Sequence, residues 1–564
     1  MPTLTGEANT AVASSSKDVA EHWNNWPNEK GFDPEYEQPT PVELQVTGQI
    51  PVYAAGTLYR TGPGKSQVQT DEGHLLQVSH WFDGFSQTHR FQIIAPDDSE
   101  SPPRVLYNSR FSTDQLLEYV RKTGSRDTRH SFGQKRDPCK ALYSKVQSEF
   151  VPAEGPSMSN VGVTLSVNMP GLDTQGEESL DRWSGSKGIR NLYAKTDHNE
   201  FKKLDPETLE PIGRASQKDF HPELAGPLVA SHPRSDPTTG DVFNFNLEIG
   251  ASSTYRIFQV SASTGKTTIL ATFPGIPAYI HSLLITEDFV LLCVWNSHVN
   301  PLKAGNGVFK DAIMPTDPTK PATWYVIDRK HGQGVVATYE SPAFFSFHTI
   351  NAWQEPSPED PSKIDIVAEL VRMDSSAVID LLGYEFIKSS LSTAKEHIAN
   401  RGDNMRSTFT RFRLATLPST PTPEPQKASI EWSACMRFSP ELPTMNPSFG
   451  TKKHRYVYAT TSRGEATLTD GLMKFDCDSQ ESWLWTRHGH SPGEPIFVAN
   501  PNGTKEDDGV LLSVVLDGMR GTSYLLCLDA QNLNELGRAH VNGAIGFGFH
   551  GQHVPTVGLP TGDY

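Results

Sequence analysis

The chain has 564 residues, of which 36% are hydrophobic, with 44 Gly and 42 Pro, a composition that suits a large globular protein rich in turns and excludes a disordered or collagen-like chain. Its formal net charge of −16 argues against the clustered basic face that nucleic-acid binding needs, so we expect no nucleic-acid partner. The five cysteines are scattered without a CxxC pair, which argues against a disulfide framework or a thiolate metal site and favours a reducing compartment.

The N-terminal residues lack the apolar core of a secretory signal, and no later apolar run approaches the roughly 20 residues that span a bilayer. We predict a flexible N-terminal segment over residues 1–25 and one domain over residues 26–564. The protein is expected in the cytoplasm, where it could associate peripherally with intracellular membranes or lipid bodies.

The first strong helical pattern covers residues 112–124. It predicts a capping box formed by Ser112 and Gln115 and a helix end at Gly124. The helix would carry an apolar face and a neighbouring basic cluster, namely Leu116, Leu117 and Val120 beside Arg121, Lys122, Arg126 and Arg129. One hypothesis is that this face docks on an anionic membrane. The alternative is that it packs on the rest of the protein.

A strand pattern recurs along the chain: a strand-like run, an Asp or Ser, a polar turn and a second strand-like run. Its copies start at Phe201, Phe258, Tyr325, Leu472 and Leu526. Each copy predicts the outer hairpin of a four-stranded sheet. The spacing therefore predicts an all-β chain folded as a β-propeller, with a β-sandwich carrying insertions as the alternative.

A second helix is predicted from the stripe of Phe386, Ile387, Leu391, Ala394 and Ile398, which ends before Gly402. Like the first, it lies in an insertion between the strand patterns.

Four histidines share a local context, because each lies in or at the end of a β-type or aromatic stretch. They are His232 in LVASHPRSD, His281 in PAYIHSLL, His348 in FFSFHTINAW and His550 in GFGFHGQHV. Their wide separation excludes a local HExxH-type site, so only a fold that unites distant strands, such as a propeller axis, can bring them together. Imidazole suits Fe, Zn and Cu, and acids are expected to accept hydrogen bonds from such ligands. The candidate acids are Asp197, Glu441 and Glu494.

These four segments, together with the segments that begin at Glu43, His80, Leu192, Glu441 and Gly493, resemble the carotenoid cleavage oxygenase family. The resemblance runs from about residue 25 to the C-terminus. It implies a seven-bladed β-propeller under a helical dome, with Fe(II) on the axis and no catalytic residue beyond the metal ligands.

The resemblance assigns the ligands to His232, His281, His348 and His550. His550 is preferred to the nearby His553 because the last ligand of the family precedes a Gly. The outer acids fall on Glu441, Glu494 and Asp197. The family commonly has Glu at the last of these positions, and the shorter Asp leaves its hydrogen bond in question.

Within the family, WPNEKGFDPE, LYRTGPGKSQV, HWFDGFSQTHRF and SFGQKRDPC look most like fungal torulene dioxygenases. Such enzymes use O₂ to cleave one C=C bond of a carotenoid into two carbonyl products, so carotenoid and O₂ are the implied partners. The main alternative is a β-carotene-cleaving, retinal-forming dioxygenase. A stilbene-cleaving enzyme is disfavoured by Thr196, where those relatives have Lys. An isomerase of the retinoid branch and a non-catalytic propeller scaffold remain as weaker alternatives.

Overall fold

The computed structural model describes most of the chain. The described residues are 22–98, 101–126, 131–134, 155–172, 188–304, 308–394, 396, 406–418, 424–434, 438–556 and 562–563. Residues 1–21 of the predicted N-terminal segment lie outside them. Trp23–Asn25 form a short 3-10 helix, and the amide of Trp23 donates to the carbonyl of Ser389 at 3.0 Å.

Strands make up most of the regular structure. In chain order they are β1 Val42–Glu43, β2 Gln45–Gly48, β3 Gly56–Pro63, β4 Gln67–Gln69, β5 Leu75–Gln77, β6 Ser86–Ile94, β7 Arg104–Phe111, β8 Thr164–Val167, β9 Leu192–Lys195, β10 Phe201–Leu204, β11 Pro211–Ala215, β12 Leu228–Val229, β13 Arg234–Ser235, β14 Val242–Glu248, β15 Thr254–Val260, β16 Thr267–Pro274, β17 Leu284–Ile285, β18 Phe289–Val294, β19 Ala322–Asp328, β20 Val335–Ser341, β21 Thr349–Pro356, β22 Ile364–Met373, β23 Ser407–Leu414, β24 Gln426–Ser433, β25 Ser439–Thr444, β26 Tyr456–Ser462, β27 Gly471–Asp476, β28 Ser482–Trp485, β29 His490–Pro492, β30 Ile496–Ala499, β31 Gly509–Asp517, β32 Thr522–Asp529, β33 Glu535–His540 and β34 His550–Pro555.

Most of these strands form antiparallel units of about four strands. Within a unit, strands that are neighbours in the sheet are mostly consecutive in the sequence. The units are β34-β3-β6-β7-β1, β8-β9-β10-β11, β12 and β13 with β14-β15-β16, β17-β18-β19-β20, β21-β22-β23-β24, β25-β26-β27-β28, and β29 and β30 with β31-β32-β33-β2. The fourth and fifth units share one sheet, because β20 and β24 pair in parallel over two residues. The prediction of an all-β, propeller-like chain is confirmed.

The two ends of the chain close this arrangement. The last strand, β34, pairs with β3 near the start of the chain, with Thr61 opposite His550 and Gly56 opposite Pro555. The early strand β2 in turn pairs with β33 of the last unit. Residues distant in sequence thereby become neighbours at the inner edges of the sheets.

A recurring turn joins the two outer strands of several units, as the sequence pattern predicted. In the turn after β10, the Asp205 carboxylate accepts the amides of Glu207 and Thr208, and the amide of Leu209 returns to the carbonyl of Asp205. Leu209 has a φ of 63°, which lies in the left-handed region. The same turn recurs with Asp476 and Gln480, and with Asp529 and Leu533.

The described helices are short, apart from one of ten residues. They are α1 Glu29–Phe32, α2 Asp114–Thr123, α3 Pro301–Ala304 and α4 Tyr384–Ile387. None of them is long and apolar enough to cross a membrane. The second predicted helix is wrong as one continuous element, because extended backbone at Lys388 ends α4 and Leu391 is exposed. Ile398 and Gly402 lie outside the described residues.

The helix α2 differs from its prediction at its start. Its N-cap is Thr113, and no side chain caps it, because the Ser112 hydroxyl instead pairs with that of Ser86 at 2.6 Å. The predicted end is confirmed, since Gly124 has a φ of 62°. Leu116 and Val120 are fully buried in a cluster that also contains Phe32, Trp81 and Phe85.

The basic residues beside this face are also engaged. Arg121 and Lys122 pair with Glu118, whereas Arg126 is buried near Asp83. Arg129 lies outside the described residues. Leu116 and Val120 therefore pack in the protein core, as the alternative to membrane docking predicted, and only Leu117 of the predicted apolar face is partly exposed. Association of the protein with a membrane stays a prediction.

We expect Leu116→Ala to lower the free energy of unfolding by about 2–5 kcal/mol, the usual cost of truncating a buried leucine. Leu117→Ala is the matched control, because Leu117 is only partly buried on the same helix, and its effect should be clearly smaller. Urea unfolding of the two variants measures the difference. Equal effects would contradict the burial pattern of α2.

Candidate metal centre

Four histidines meet where the inner edges of the sheets converge. His232 lies between β12 and β13, His281 precedes β17, His348 immediately precedes β21, and His550 opens β34. They come from the third, fourth, fifth and first units, so ring closure is what unites them. The four ligand-type nitrogens all lie within 4.8 Å of one another.

The imidazoles present ring nitrogens to a common point. The Nε2 atom of His550 lies 3.0 Å from that of His232 and 3.2 Å from that of His348. The ring of His281 completes the group, with its centroid 4.7 Å from that of His232 and 5.1 Å from that of His348. The sequence-predicted set is thus brought together as a whole.

Each of the three predicted acids accepts a hydrogen bond from one imidazole. The pairs are Asp197 with His281 at 2.9 Å, Glu441 with His348 at 2.5 Å and Glu494 with His550 at 2.7 Å, in each case at Nδ1. A carboxylate at Nδ1 fixes the tautomer with the proton on that nitrogen, so the lone pair of Nε2 points inward.

Asp197 reaches its histidine despite its short side chain. Both of its oxygens lie 2.9 Å from Nδ1 of His281. The hydroxyl of Ser231 donates to Oδ1 at 2.6 Å, and that of Tyr279 donates to Oδ2 at 3.0 Å. Burial raises the pKa of Asp197, but His281 and the two hydroxyls outweigh this effect and leave the pKa lowered. The question about the reach of the shorter acid is settled by these contacts.

Glu441 is positioned by an unusual local backbone. Its Oε2 accepts the amide of Leu442 at 2.9 Å in addition to the imidazole of His348. Leu442 has a φ of 52°, in the left-handed region that a branched side chain rarely adopts. This turn directs the amide of Leu442 back onto the carboxylate beside it.

Glu494 shares its carboxylate with a buried arginine that the sequence analysis did not identify. Arg60 on β3 donates from Nη1 to Oε2 of Glu494 at 2.6 Å, and the amide of Gly551 donates to the same oxygen at 2.8 Å. Burial raises the pKa of Glu494 to about 7, although the charge of Arg60 opposes the shift. Arg60, the amide of Gly551 and the imidazole of His550 all donate hydrogen bonds to Glu494, so they favour the ionised carboxylate.

Tyr279 and Ser231 were also missed, although the sequence carried a signal for both. Tyr279 lies two residues before His281, and alternate residues of an extended segment point to the same side. Ser231 is the neighbour of His232. Arg60 offered no comparable signal, because its partner is 434 residues away.

Burial keeps two of the imidazoles neutral. It lowers the pKa of His232 and His550 well below the ordinary value, and the neighbouring histidines add to the shift. Neutral imidazoles whose Nε2 lone pairs face each other repel unless a cation lies between them. The arrangement is therefore suited to a metal ion.

The spacing and chemistry of the donors fit a divalent transition metal. Two nitrogen ligands about 2.1 Å from a metal and at right angles to each other lie about 3.0 Å apart. The Nε2 separations of 3.0 and 3.2 Å at His550 agree with this value. Imidazole nitrogen suits Fe, Zn, Cu and Ni. The four histidines could thus hold such an ion.

Two cavities meet at the histidines. The larger has a volume of about 870 Å³ and reaches His281, His348 and His550. Aromatic side chains are prominent in its wall, namely Phe82, Phe132, Tyr279, Phe309, Phe347 and Phe549. The smaller, of about 230 Å³, reaches His232, His348 and His550 and is lined by polar residues such as Arg234 and Asn351 together with apolar ones such as Leu284 and Ile285. An apolar ligand would fit the first cavity.

Glu369, His454 and Cys477 form a second buried group with ligand-type atoms. Asn351 fixes the tautomer of its histidine. The Oδ1 atom of Asn351 accepts the amide of Thr451, so its Nδ2 donates to Nδ1 of His454 at 3.1 Å. The proton of His454 is then on Nε2, 3.0 Å from Glu369, and this nitrogen is not free to bind a metal.

Comparison with known proteins gives concordant results. The family model for retinal pigment epithelial membrane protein matches residues 31–555. A carotenoid dioxygenase of Neurospora crassa is 42% identical, covering 95% of this chain and 92% of that protein. A torulene dioxygenase of Fusarium fujikuroi is 40% identical, covering 96% and 95%. The crystal structure of a cobalt-substituted Synechocystis apocarotenoid oxygenase has a TM-score of 0.68 at 22% identity, covering 93% of this chain and 98% of that one.

We expect His550→Ala to weaken Co²⁺ binding by more than the roughly 10–100-fold that loss of an outer-shell partner costs. His553→Ala is the matched control, because His553 lies on the same strand and its Nε2 contacts the carbonyl of Ala54 instead. Titration of metal-free protein with Co²⁺, followed by visible absorption, measures both affinities. Equal affinities in the two variants would exclude His550 as a ligand.

We expect Asp197→Asn to weaken Co²⁺ binding roughly 10–100-fold, because the amide cannot accept the His281 proton with both of its terminal atoms. Asp219→Asn serves as the control, since Asp219 lines the large cavity but caps Ser216 instead of binding a histidine. The same absorption titration measures the effect. An Asp197→Asn variant with wild-type affinity would show that this acid does not support the site.

Proposed function

This chain belongs to the carotenoid cleavage oxygenase family, and from this premise we propose that it is an Fe(II)-dependent dioxygenase that cleaves one C=C bond of a carotenoid, torulene being the favoured substrate. The products would be two aldehydes that carry the two atoms of O₂. The observation that carries the proposal is the set of four inward-facing imidazoles at the wall of a large cavity rich in aromatic side chains.

The metal identity rests on the donor set and on the reaction class. In the proposal, the nitrogen atoms of His232, His281, His348 and His550 bind the metal, and three carboxylates lie one hydrogen bond further out. Fe(II) in this position would supply a centre that binds and activates O₂ beside the substrate. The histidines themselves need not transfer protons.

The protein supplies positioning and a dry environment. The double bonds of a long polyene are chemically similar, so the depth to which the chain enters the cavity selects the bond that reaches the centre. Phe347 and Phe549 lie next in sequence to two of the ligands and also line the cavity. Such rings exclude water and offer apolar surface to a polyene. Tyr279 stays protonated, because burial and the adjacent Asp197 raise its pKa well above the ordinary value.

The residue before Asp197 supports a carotenoid over a stilbene. Thr196 lines the cavity where stilbene-cleaving relatives carry a Lys that engages a phenol. A threonine offers no positive charge to a phenolate. The names of the relatives add support, since they are described as carotenoid and torulene dioxygenases.

Incubation of the iron-loaded protein with torulene, β-carotene and resveratrol under ¹⁸O₂ tests the proposal. We expect torulene to be consumed fastest, with label in both aldehydes, and resveratrol to remain intact. The iron-free protein and the His550→Ala variant are the controls and should be inactive. If β-carotene were cleaved faster than torulene, β-carotene would become the favoured substrate. The absence of any cleavage would overturn the proposed function.

A further inference from the structure

Among the described residues, Arg60 is the buried cation that is hydrogen-bonded to one of the acids around the histidines, Glu494. Its side chain is 3% exposed, and its Nη1 lies 2.6 Å from Oε2 of Glu494, whose other oxygen accepts the proton of His550. The guanidinium is thus connected to one metal-ligand candidate through a single carboxylate. Asp197 and Glu441 have no comparable arginine or lysine contact among the described residues.

The backbone around Arg60 leaves room for this side chain. A Cβ atom at Gly551 would lie 2.4 Å from Cδ of Arg60, and one at Gly493 would lie 3.2 Å from its Nη2. Gly493 precedes Glu494, and Gly551 follows His550. The segments that carry the acid and the histidine are therefore shaped around the guanidinium as well.

The three acids and Arg60 together form a hydrogen-bonded shell around the histidines, and this shell has a definite net charge. With Glu494 ionised, the state that its three hydrogen-bond donors favour, Asp197, Glu441 and Glu494 contribute three negative charges and Arg60 one positive charge, so two negative charges remain. A divalent ion balances this remainder, whereas a trivalent ion leaves one uncompensated positive charge in a buried site. His89, opposite Arg60 on β6, adds no charge, since burial and then Arg60 lower its pKa to about 3.

Other charged groups lie outside this shell. Arg234 donates to the carbonyl oxygens of Leu283 and Thr349, and Lys195 pairs with Asp563 at 3.0 Å. Neither cation is bonded to an acid that contacts a histidine. Among the described residues, Arg60 is accordingly the cation whose removal would make the hydrogen-bonded shell more negative.

We propose that Arg60 sets the net charge of the buried shell so that the centre favours a divalent over a trivalent ion, and so holds iron as Fe(II). The inference rests on the proposed function, because it concerns the same metal site. It assigns Arg60 a role in tuning the centre, acting through Glu494, without contact to substrate.

The Fe(III)/Fe(II) reduction potential of the iron-loaded full chain measures this preference directly. It is read from a redox titration with mediators, in which the electron paramagnetic resonance signal of high-spin Fe(III) is followed. Loss of one unit charge about 10 Å away, at an effective dielectric constant of about 20, changes the ratio of Fe(III) to Fe(II) affinity roughly tenfold. For one electron this corresponds to about 59 mV.

We expect Arg60→Gln to lower the potential by about this amount, because the more negative shell stabilises Fe(III). Arg60→Lys keeps the charge and should stay close to wild type. Arg329→Gln is the control for breaking a buried ion pair, since Arg329 pairs with Asp236 away from the acids of the centre, and its potential should not change.

A second pair of variants decides the matter if Arg60→Gln fails to fold. Glu494→Gln should raise the potential, and the double variant Arg60→Gln with Glu494→Gln, which leaves neither charge unpaired, should lie near wild type. Equal potentials in Glu494→Gln and the double variant, or an unchanged potential in Arg60→Gln, would overturn the role of Arg60. A wild-type protein that binds iron and cleaves carotenoid would in that case retain the proposed function, whereas failure to bind iron at all would overturn both.

Discussion

Pairing of the last strand with an early strand is the interaction on which the candidate metal centre depends. His550 is the first residue of β34 and lies opposite Thr61 on β3. The next position of this pair places Gly551 opposite Arg60, which brings the arginine to Glu494 of the last unit. Without this closure, one of the four imidazoles and the only described guanidinium bonded to its acid would be missing from the site.

The electrostatics of the centre follow from burial. Ionised groups taken out of water are costly unless they are paired and hydrogen-bonded. The three acids satisfy this condition through imidazole N–H groups, backbone amides, hydroxyls and Arg60. The same contacts orient the rings of His281, His348 and His550, so the groups that stabilise the buried charge also direct three of the four Nε2 lone pairs to one point.

The position of the centre between two cavities of different size bears on its chemistry. His348 and His550 contribute to the walls of both, so a ligand in either cavity would lie close to the histidines. The large cavity, with its aromatic wall, suits a long apolar substrate, whereas the wall of the small one combines polar side chains with apolar ones such as Leu284 and Ile285. A metal ion held by side chains from four different units would be fixed at their common boundary, which leaves the shape of the large cavity to decide which bond is presented.

The local features of this protein were accessible from its sequence because they depend on neighbouring residues. Alternating runs and Asp-led turns predicted the outer hairpins, and Asp205, Asp476 and Asp529 cap those turns as side-chain chemistry dictates. The end of α2 at Gly124 follows from the conformational freedom of glycine. The four histidines and three acids were predicted through a family resemblance, since their spacing alone left the set open.

Tertiary structure decided what depends on residues distant in the chain. The apolar face of α2 is the same whether it meets a membrane or a protein core, and only the packing of Leu116 and Val120 against Trp81 and Phe85 distinguishes the two. The hydrogen bond of the short Asp197 depends on how close β9 and the segment before β17 approach each other. Arg60 acquires its role only when closure of the ring brings it to Glu494, because an ion pair between residues 434 positions apart is set by the fold and not by any local pattern.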